Sequence, residues 1–166
     1  MSLPLNIPLG RILPVFFSAM ENGYAGGASK GTIAEIPGSK TILHEDSDFR
    51  VLDCYVVTPD SSYSFGTTTI WYQGVPVWMM QYRGSYTKEM IPFLKRALMT
   101  AYAKQEFFGG RGPDMYTEGG NNDLFYVNRI AKNDWQDFKG REEIINRRNH
   151  RRYQMGWHEY DGLLLV

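Results

Sequence analysis

The stretch that decides the fold is residues 64–84, which read SFGTTTIWYQGVPVWMMQYRG. Two runs rich in β-branched and aromatic residues, Ser64–Tyr72 and Val75–Tyr82, flank a turn at Gln73-Gly74. Strand-forming runs joined by a two-residue turn are typical of a β-hairpin. The sequence therefore predicts a hairpin in the middle of the chain.

Two helices and further strands surround this hairpin. Apolar residues recur at helical spacing over Arg11–Asn22 and roughly Lys88–Lys104, and this recurrence predicts two helices. Turn-rich stretches separate the other predicted strands, which are Thr32–Ile36 (ended by Pro37-Gly38), Thr41–His44, Phe49–Val57, Met115–Tyr116, Leu124–Arg129, Arg141–Arg147 and Arg152–Tyr160. The strands are expected to pair antiparallel, because the connections between them are too short for parallel crossovers.

The second half of the chain repeats features of the first half. Met80–Gly84 and His158–Gly162 both end in Tyr-x-Gly. A Phe65-Gly66 corner in the first half corresponds to a Phe138–Gly140 corner in the second. Self-similarity of this kind indicates repeated structural units.

These features together predict the domain organisation. We expect an extended N-terminal arm over residues 1–10 and a single α+β domain over residues 11–166. In that domain a curved antiparallel sheet consists of two similar β-meanders, each preceded by a helix. The repeat covers approximately residues 24–84 and 111–162.

Composition and charge exclude several classes of protein. The 166 residues suit one domain, and the 43% that are apolar argue against a disordered chain. Eighteen basic and eighteen acidic residues leave no net charge that would select nucleic acid or an anionic membrane. The single cysteine, Cys54, excludes a disulfide scaffold and a zinc site built on cysteines. The apolar runs are too short to span a membrane and the N-terminus lacks a signal-peptide pattern, so we expect a cytoplasmic protein without a membrane partner.

Several motifs form a pattern that is known from one family. They are Tyr24–Gly27, Pro37–Ser39, Trp71–Trp78, Met80–Gly84, Phe93–Leu98, Arg111–Pro113 with Tyr116, and Phe138–Ile144. With these motifs the chain resembles an uncharacterised bacterial family of domains of unknown function, found alone or C-terminal to XRE-type helix-turn-helix domains. The resemblance implies the fold, and the fusion to DNA-binding domains implies a sensing or effector role. The His-Gly-Gly that closes the family pattern is replaced here by His158–Gly162.

Aromatic side chains on the hairpins provide a candidate ligand-binding surface. Because alternate residues of a strand share a face, Trp78, Met80 and Tyr82 point to the same side. One face must belong to the core, and the other offers flat rings that line many ligand sites. The candidate ligand-binding residues are Tyr24, Trp71, Trp78, Met80, Tyr82, Arg111, Tyr116, Trp157 and His158. We therefore predict a module that binds an unidentified small molecule in an aromatic groove.

An enzyme acting on a small polar substrate is the alternative. A general acid–base pair would combine His158 with Glu142 or Glu143, with Arg111 as the electrostatic partner. The sequence alone does not bring these groups within hydrogen-bond distance, so we assign no catalytic residue. We predict no cofactor, and no metal site either, because His158 and Asp161 point to opposite faces of a strand.

A basic hairpin offers a third interpretation. Arg147, Arg148, Arg151 and Arg152 are concentrated in one predicted turn, where they could contact a protein or the phosphates of a nucleic acid. Basic turns also occur as solvated surface that keeps a sheet edge from pairing. Because the whole chain is neutral, nucleic acid is the weaker alternative.

The helices leave one more alternative open. Phe16, Phe17 and Phe93 give them broad apolar faces. Such faces usually pack in the core of the domain, but they could also form the surface of a homodimer.

Overall fold

A computed structural model describes residues 6–119, 121–148 and 151–166 as one open, curved antiparallel sheet with two α-helices. The predicted α+β class is confirmed. The helices are α1 (Ile12–Asn22) and α2 (Ile91–Tyr102), and the strands are β1 (Gly31–Ile33), β2 (Ile36–Asp46), β3 (Phe49–Val57), β4 (Tyr63–Tyr72), β5 (Val75–Tyr86), β6 (Met115–Glu118), β7 (Asn121–Asp134), β8 (Asp137–Arg148) and β9 (Arg151–Leu164). Neither helix has the length and apolar character needed to cross a membrane.

The strand order is β1-β2-β3-β4-β5-β9-β8-β7-β6. Strands β1 to β5 form one meander and strands β6 to β9 form a second, and each meander follows a helix. The meanders meet where β5 pairs with β9, with Tyr82 directly opposite Tyr160. The internal repeat over 24–84 and 111–162 stays a prediction.

The core lies between the helices and one face of the sheet, which we call the inner face. Ile12, Phe16 and Ala19 of α1 recur three or four residues apart and are buried against it. The Phe16 ring centroid lies 5.2 Å from that of Trp78. Phe17 and Phe93 are also buried within the same chain. These helix faces therefore belong to the core and not to a free surface, and a homodimer stays a prediction.

Glycines on the inner face leave room for side chains from neighbouring strands. The Tyr82 ring lies over Gly66 of β4, where an added Cβ atom would come within 2.6 Å of the tyrosine oxygen. The His158 ring lies over Gly84 of β5, where an added Cβ would be 2.7 Å from Cδ2 of the imidazole. Close approach of a ring to the backbone is a specific reason for glycine in a strand.

The ends of several predicted elements need correction. The predicted strand Thr32–Ile36 is wrong, because the chain turns at Ala34-Glu35 and Pro37 lies inside β2. Proline is tolerated there because the pairing of β2 with β3 begins only at Ser39. In the predicted N-terminal arm, Leu9–Arg11 form a short 3-10 helix rather than an extended segment, and residues 1–5 lie outside the described chain.

Candidate functional site

A line of buried polar side chains crosses the inner face. We call it the polar belt, and it comprises Asp53 on β3, Thr68 on β4, Tyr82 on β5, His158 on β9, Glu142 on β8 and Asn128 on β7. Asp53 is 6% exposed, His158 7% and Glu142 0%. Burying ionisable groups costs free energy unless they are paired and hydrogen-bonded. The partners of the belt residues therefore show what the belt can do.

The loop between α2 and β6 brings Arg111 to the belt. Asn128 Nδ2 donates hydrogen bonds to the carbonyl oxygens of Phe108 (3.0 Å) and Gly112 (2.8 Å). The Tyr102 hydroxyl donates to the carbonyl oxygen of Gly110 at 3.1 Å. These bonds fix the loop over the inner face, and Arg111 is only 6% exposed as a result.

Arg111 forms a buried ion pair with Glu142. Its Nη2 lies 2.5 Å from Oε1 of the carboxylate, and the Tyr126 hydroxyl donates to Oε2 at 2.5 Å. Burial alone would raise the pKa of Glu142. The charge of Arg111 and hydrogen bonds from His158 and Arg111 outweigh burial and hold that pKa at about 2. Glu142 is therefore a carboxylate at neutral pH.

His158 connects this ion pair to a serine. Its Nδ1 lies 3.3 Å from both Glu142 Oε1 and Arg111 Nη2, and its Nε2 lies 3.4 Å from Ser64 Oγ. Burial, and then the positive charge of Arg111, lower the pKa of His158 despite the nearby carboxylate. The imidazole is therefore neutral at pH 7.

Asp53 is the second buried carboxyl group. The Tyr82 hydroxyl (2.6 Å) and the Thr68 hydroxyl (3.1 Å) both donate to its Oδ1. Burial raises the pKa of Asp53, although these two hydrogen bonds and Arg111 oppose the rise. The centroid of the Tyr82 ring also lies 5.5 Å from the guanidinium carbon of Arg111, so the two groups are close neighbours.

These side chains line a pocket with two parts. The inner cavity, of about 40 Å³, is lined by Met20, Tyr24, Asp53, Tyr55, Ser64, Thr68, Tyr82, Tyr102, Arg111 and His158. The outer cleft, of about 850 Å³, shares Tyr24, Tyr55, Ser64 and His158 with it and adds Tyr86, Lys30, Lys40 and Lys88, among others. Because the two parts share these four residues, they adjoin each other, and Ser64 and His158 belong to the wall that they have in common.

Two polar atoms at this pocket are buried without a partner in the described chain. They are Nε of Arg111, a residue that lines the inner cavity, and the hydroxyl of Tyr86, a residue that lines the outer cleft. More than nine in ten buried polar groups of native proteins are hydrogen-bonded. Each unpartnered group therefore needs an explanation, and a bound ligand supplies one.

Comparison with known protein families identifies a family for this chain. Residues 53–162 match a family described as "Domain of unknown function (DUF5680)". The chain belongs to this family. The matched range contains Ser64, Arg111, Glu142 and His158, whereas Tyr24 lies before it. No curated protein and no solved structure matches the chain.

In this DUF5680 domain the nine candidate ligand-binding residues separate into two groups. Tyr24, Tyr82, Arg111 and His158 line the pocket. The other five lie elsewhere: Trp78 and Met80 are fully buried in the core, Trp71 lines a depression with Leu43 and Leu52, Trp157 lies beside Arg141, and Tyr116 donates to Glu118. The structure therefore does not gather the tryptophans into one groove.

The basic hairpin lies at the end of β8 and β9, away from the pocket. Asn149 and His150 at its turn lie outside the described residues. Arg152 pairs with Glu143, and Arg148 lies 3.8 Å from Asp123. The guanidinium of Arg147 lies 4.9 Å from the centre of the Phe125 ring. A nucleic-acid role for these arginines stays a prediction.

Sequence reasoning missed Asp53 and Ser64. Asp53 does carry a signal, because it alternates with Phe49, Val51 and Tyr55 on the inner side of β3. An acidic residue in the apolar phase of such a strand indicates a buried carboxyl group. Ser64 is the inward residue at the start of β4 and shows no comparable signal.

Proposed function

We propose that this DUF5680 domain binds a small polar molecule in the pocket formed by the inner cavity and the outer cleft. The observation that carries the proposal is the pair of unpartnered buried groups, Arg111 Nε and the Tyr86 hydroxyl. Leaving such a group unpaired costs about 1–3 kcal/mol. A ligand that accepts hydrogen bonds from both groups removes this cost, which favours binding.

The lining of the pocket favours a ligand rich in acceptor atoms. Besides Arg111, the pocket presents the hydroxyls of Tyr24, Tyr55 and Ser64, and Lys30 lies at the mouth, 5.5 Å from the Tyr24 ring centre. Arg111 and Lys30 only donate and the hydroxyls can donate, so a carboxylate or another anionic group suits them. Asp53, which also lines the inner cavity, can accept a hydrogen bond from a donor elsewhere on the same molecule. The volume of the outer cleft is within the usual range for small-molecule sites, roughly 300–1,000 Å³.

Binding of this kind supports the sensing or effector role that the family resemblance led us to expect, and the cytoplasmic location stays a proposal from the sequence alone. A ligand held between α1 and the sheet would change the free energy of the folded domain. A fused or separate partner could respond to that change.

The first test is a thermal-shift screen with small carboxylates, phosphate esters, amino acids and neutral sugars. A ligand at 100 times its Kd adds about 2.7 kcal/mol of stability, which raises Tm by roughly 5–10 °C for a chain of this size. We expect the anionic compounds to give the largest shifts. A larger shift with neutral sugars than with anions would contradict the assignment to Arg111.

Tyr86→Phe then locates the site, since it deletes only the unpartnered hydroxyl. We expect unchanged or slightly higher stability, because an unsatisfied polar atom is removed, and roughly 5–10-fold weaker binding measured by calorimetry. Tyr153→Phe, on an exposed part of β9, is the matched control. Equal affinity in Tyr86→Phe and wild type would place the ligand elsewhere.

A second candidate function is an enzyme acting on a small polar substrate. One observation favours it: His158, Arg111 and Glu142 lie within hydrogen-bond distance of one another. The neutral imidazole also contacts a hydroxyl that faces the pocket, that of Ser64.

A further inference from the structure

Four residues of the inner face form one row across four adjacent strands. In the register of the sheet, Ser64 is opposite Gly84, Gly84 is opposite His158, and His158 is opposite Glu142. Gly84 has no side chain, so the serine and the imidazole meet above it. Ser64 and Glu142 are therefore on opposite sides of His158, and each contacts a different ring nitrogen.

The direction of the hydrogen bonds along this row depends on which nitrogen of His158 carries the proton. A carboxylate can only accept hydrogen bonds and a guanidinium can only donate them, and both Glu142 and Arg111 lie 3.3 Å from Nδ1 of His158. With the proton on Nδ1, His158 donates to Glu142, and its Nε2 is left to accept the Ser64 hydroxyl proton. In the other tautomer Nδ1 accepts from Arg111, and Nε2 donates to Ser64.

We propose that Ser64 is the nucleophile of an acyl-transfer reaction, with His158 as its general base and Glu142 as the residue that positions His158. The proposal rests on the proposed pocket, because both parts of the pocket include Ser64 and His158. The substrate class is an ester of a small carboxylic acid. A nucleophile, a base and an orienting group in series form the arrangement that activates a serine hydroxyl.

The unpartnered donors have a role in this reaction. Attack on a carbonyl places negative charge on its oxygen, and preorganised donors at that position stabilise the transition state. Arg111 lines the inner cavity and Tyr86 lines the outer cleft, and Arg111 Nε and the Tyr86 hydroxyl are buried donors without a partner in the described chain. They are the candidates for holding the developing oxyanion.

The reaction balances as a simple hydrolysis. Ser64 Oγ bonds to the carbonyl carbon of the ester while its proton moves to Nε2 of His158. The bond to the alcohol oxygen breaks, and the alcohol leaves with that proton. Water then attacks the acyl-serine, giving a proton to Nε2, and the proton returns to Ser64 as the carboxylic acid is released. The ester and one water become an acid and an alcohol.

The experiment is covalent labelling of the purified full chain with a fluorophosphonate probe, read by intact mass and peptide mapping. We expect a single adduct on Ser64 and none in Ser64→Ala. His158→Gln should slow labelling at least about 100-fold, because general-base assistance is lost. The rate should also fall at acid pH with a midpoint below the ordinary histidine value of 6.5, since the pKa of His158 is lowered.

The chain contains a matched control for the serine–histidine contact. Ser18 Oγ lies 3.3 Å from Nε2 of His44, but His44 has no carboxylate partner in the described chain. Ser18→Ala should leave labelling unchanged. Circular dichroism on every variant confirms that it is folded, so a lost signal reports lost chemistry.

The outcomes separate this proposal from the proposed binding function. Folded wild-type protein that is not labelled at Ser64, or labelling that survives His158→Gln, overturns the nucleophile. If ligand binding sensitive to Tyr86→Phe remains in that case, the binding function stands alone. If binding is absent as well, both proposals fall. Equal labelling of Ser18 and Ser64 would show that the row through His158 and Glu142 gives Ser64 no special reactivity, and would also overturn the nucleophile.

Discussion

The two meanders make the same tyrosine contact with different partners. Tyr82 donates its hydroxyl proton to Asp53 in the first meander, and Tyr160 donates to Asn128 in the second, both at 2.6 Å. The two tyrosines face each other across the junction of β5 and β9. The geometry is therefore matched, while the acceptor is a carboxyl group on one side and an amide on the other.

This difference separates the second meander, whose inner face is covered by a loop, from the first meander, whose inner face borders the pocket. We call them the closed half and the open half. Asn128 has donors as well as an acceptor, and its Nδ2 holds the carbonyl oxygens of Phe108 and Gly112. A carboxylate has no donor, so Asp53 cannot fasten a loop in this way. Asp53 instead lines the inner cavity. The second meander thus supports Arg111, and the first leaves its polar groups available to a ligand.

The largest effect is expected from making the second half like the first, with Asn128→Asp. The carbonyl oxygens of Phe108 and Gly112 lose their donor, and a carboxyl group is placed opposite Glu142. We expect a loss of about 2–5 kcal/mol in the free energy of unfolding. Urea denaturation at pH 7, followed by circular dichroism, measures it.

Hydrogen exchange shows whether that loss comes from the loop. In Asn128→Asp the amide of Gly112, which donates to the Tyr126 hydroxyl at 2.9 Å, should exchange faster than in wild type. A loss below 1 kcal/mol with unchanged exchange would mean that Asn128 does not fasten the loop. The exchange of Asp53 for Asn128 would then not explain why only the second meander carries the loop.

The next effect compares the two tyrosines directly. Tyr160→Phe leaves the buried Oδ1 of Asn128 without this donor, which should cost about 1–3 kcal/mol. Tyr82→Phe should cost less, at most about 1 kcal/mol, because Oδ1 of Asp53 keeps the Thr68 hydroxyl and faces a cavity that admits water. Urea denaturation of both variants tests the order. Equal losses would contradict an open first half.

Much of the fold could be predicted from local pattern. Alternation and turn residues predicted β3 at Phe49–Val57, and this strand is confirmed to the residue. The end of β5 is harder to predict from the sequence. Gly84 resembles a residue that ends a strand, but it lies inside a strand that continues to Tyr86. Gly84 is required because an added Cβ would clash with the carbonyl oxygen of Trp157 and would lie 2.7 Å from Cδ2 of His158, on a strand more than seventy positions later. A local pattern contains no trace of such a contact.

The site could be predicted only in part. His158, Arg111 and a glutamate were considered together, and the structure does join them through Glu142. Trp78 was a candidate for the groove, but a large aromatic side chain gains most when fully buried, and it lies in the core. The position of Arg111 depends on the hydrogen bonds that Asn128 makes to a distant loop, which the sequence does not display.

The smallest effect is expected from making the first half like the second, with Asp53→Asn. The amide oxygen can still accept from Tyr82, and the variant cannot ionise. Because burial raises the pKa of Asp53 in the folded protein, the folded state binds more protons than the unfolded state between the ordinary value of 3.8 and the raised value. Wild-type stability therefore falls as pH rises through that window.

Asp53→Asn cannot ionise and should not lose stability as the pH rises. The difference in stability between the variant and the wild type therefore depends on pH. Below about pH 4 the two proteins should differ little, and near pH 7 Asp53→Asn should be more stable, by about 1.4 kcal/mol for each unit of pKa rise. Thermal melts between pH 3.5 and 8 measure the difference, at roughly 2–4 °C per kcal/mol. If Asp53→Asn were instead destabilised at neutral pH, the ionised carboxylate would be contributing to the fold. The charge of Asp53 would then stabilise the first meander, and a ligand would have to be bound by the other polar residues of the pocket, such as Ser64 and Tyr24.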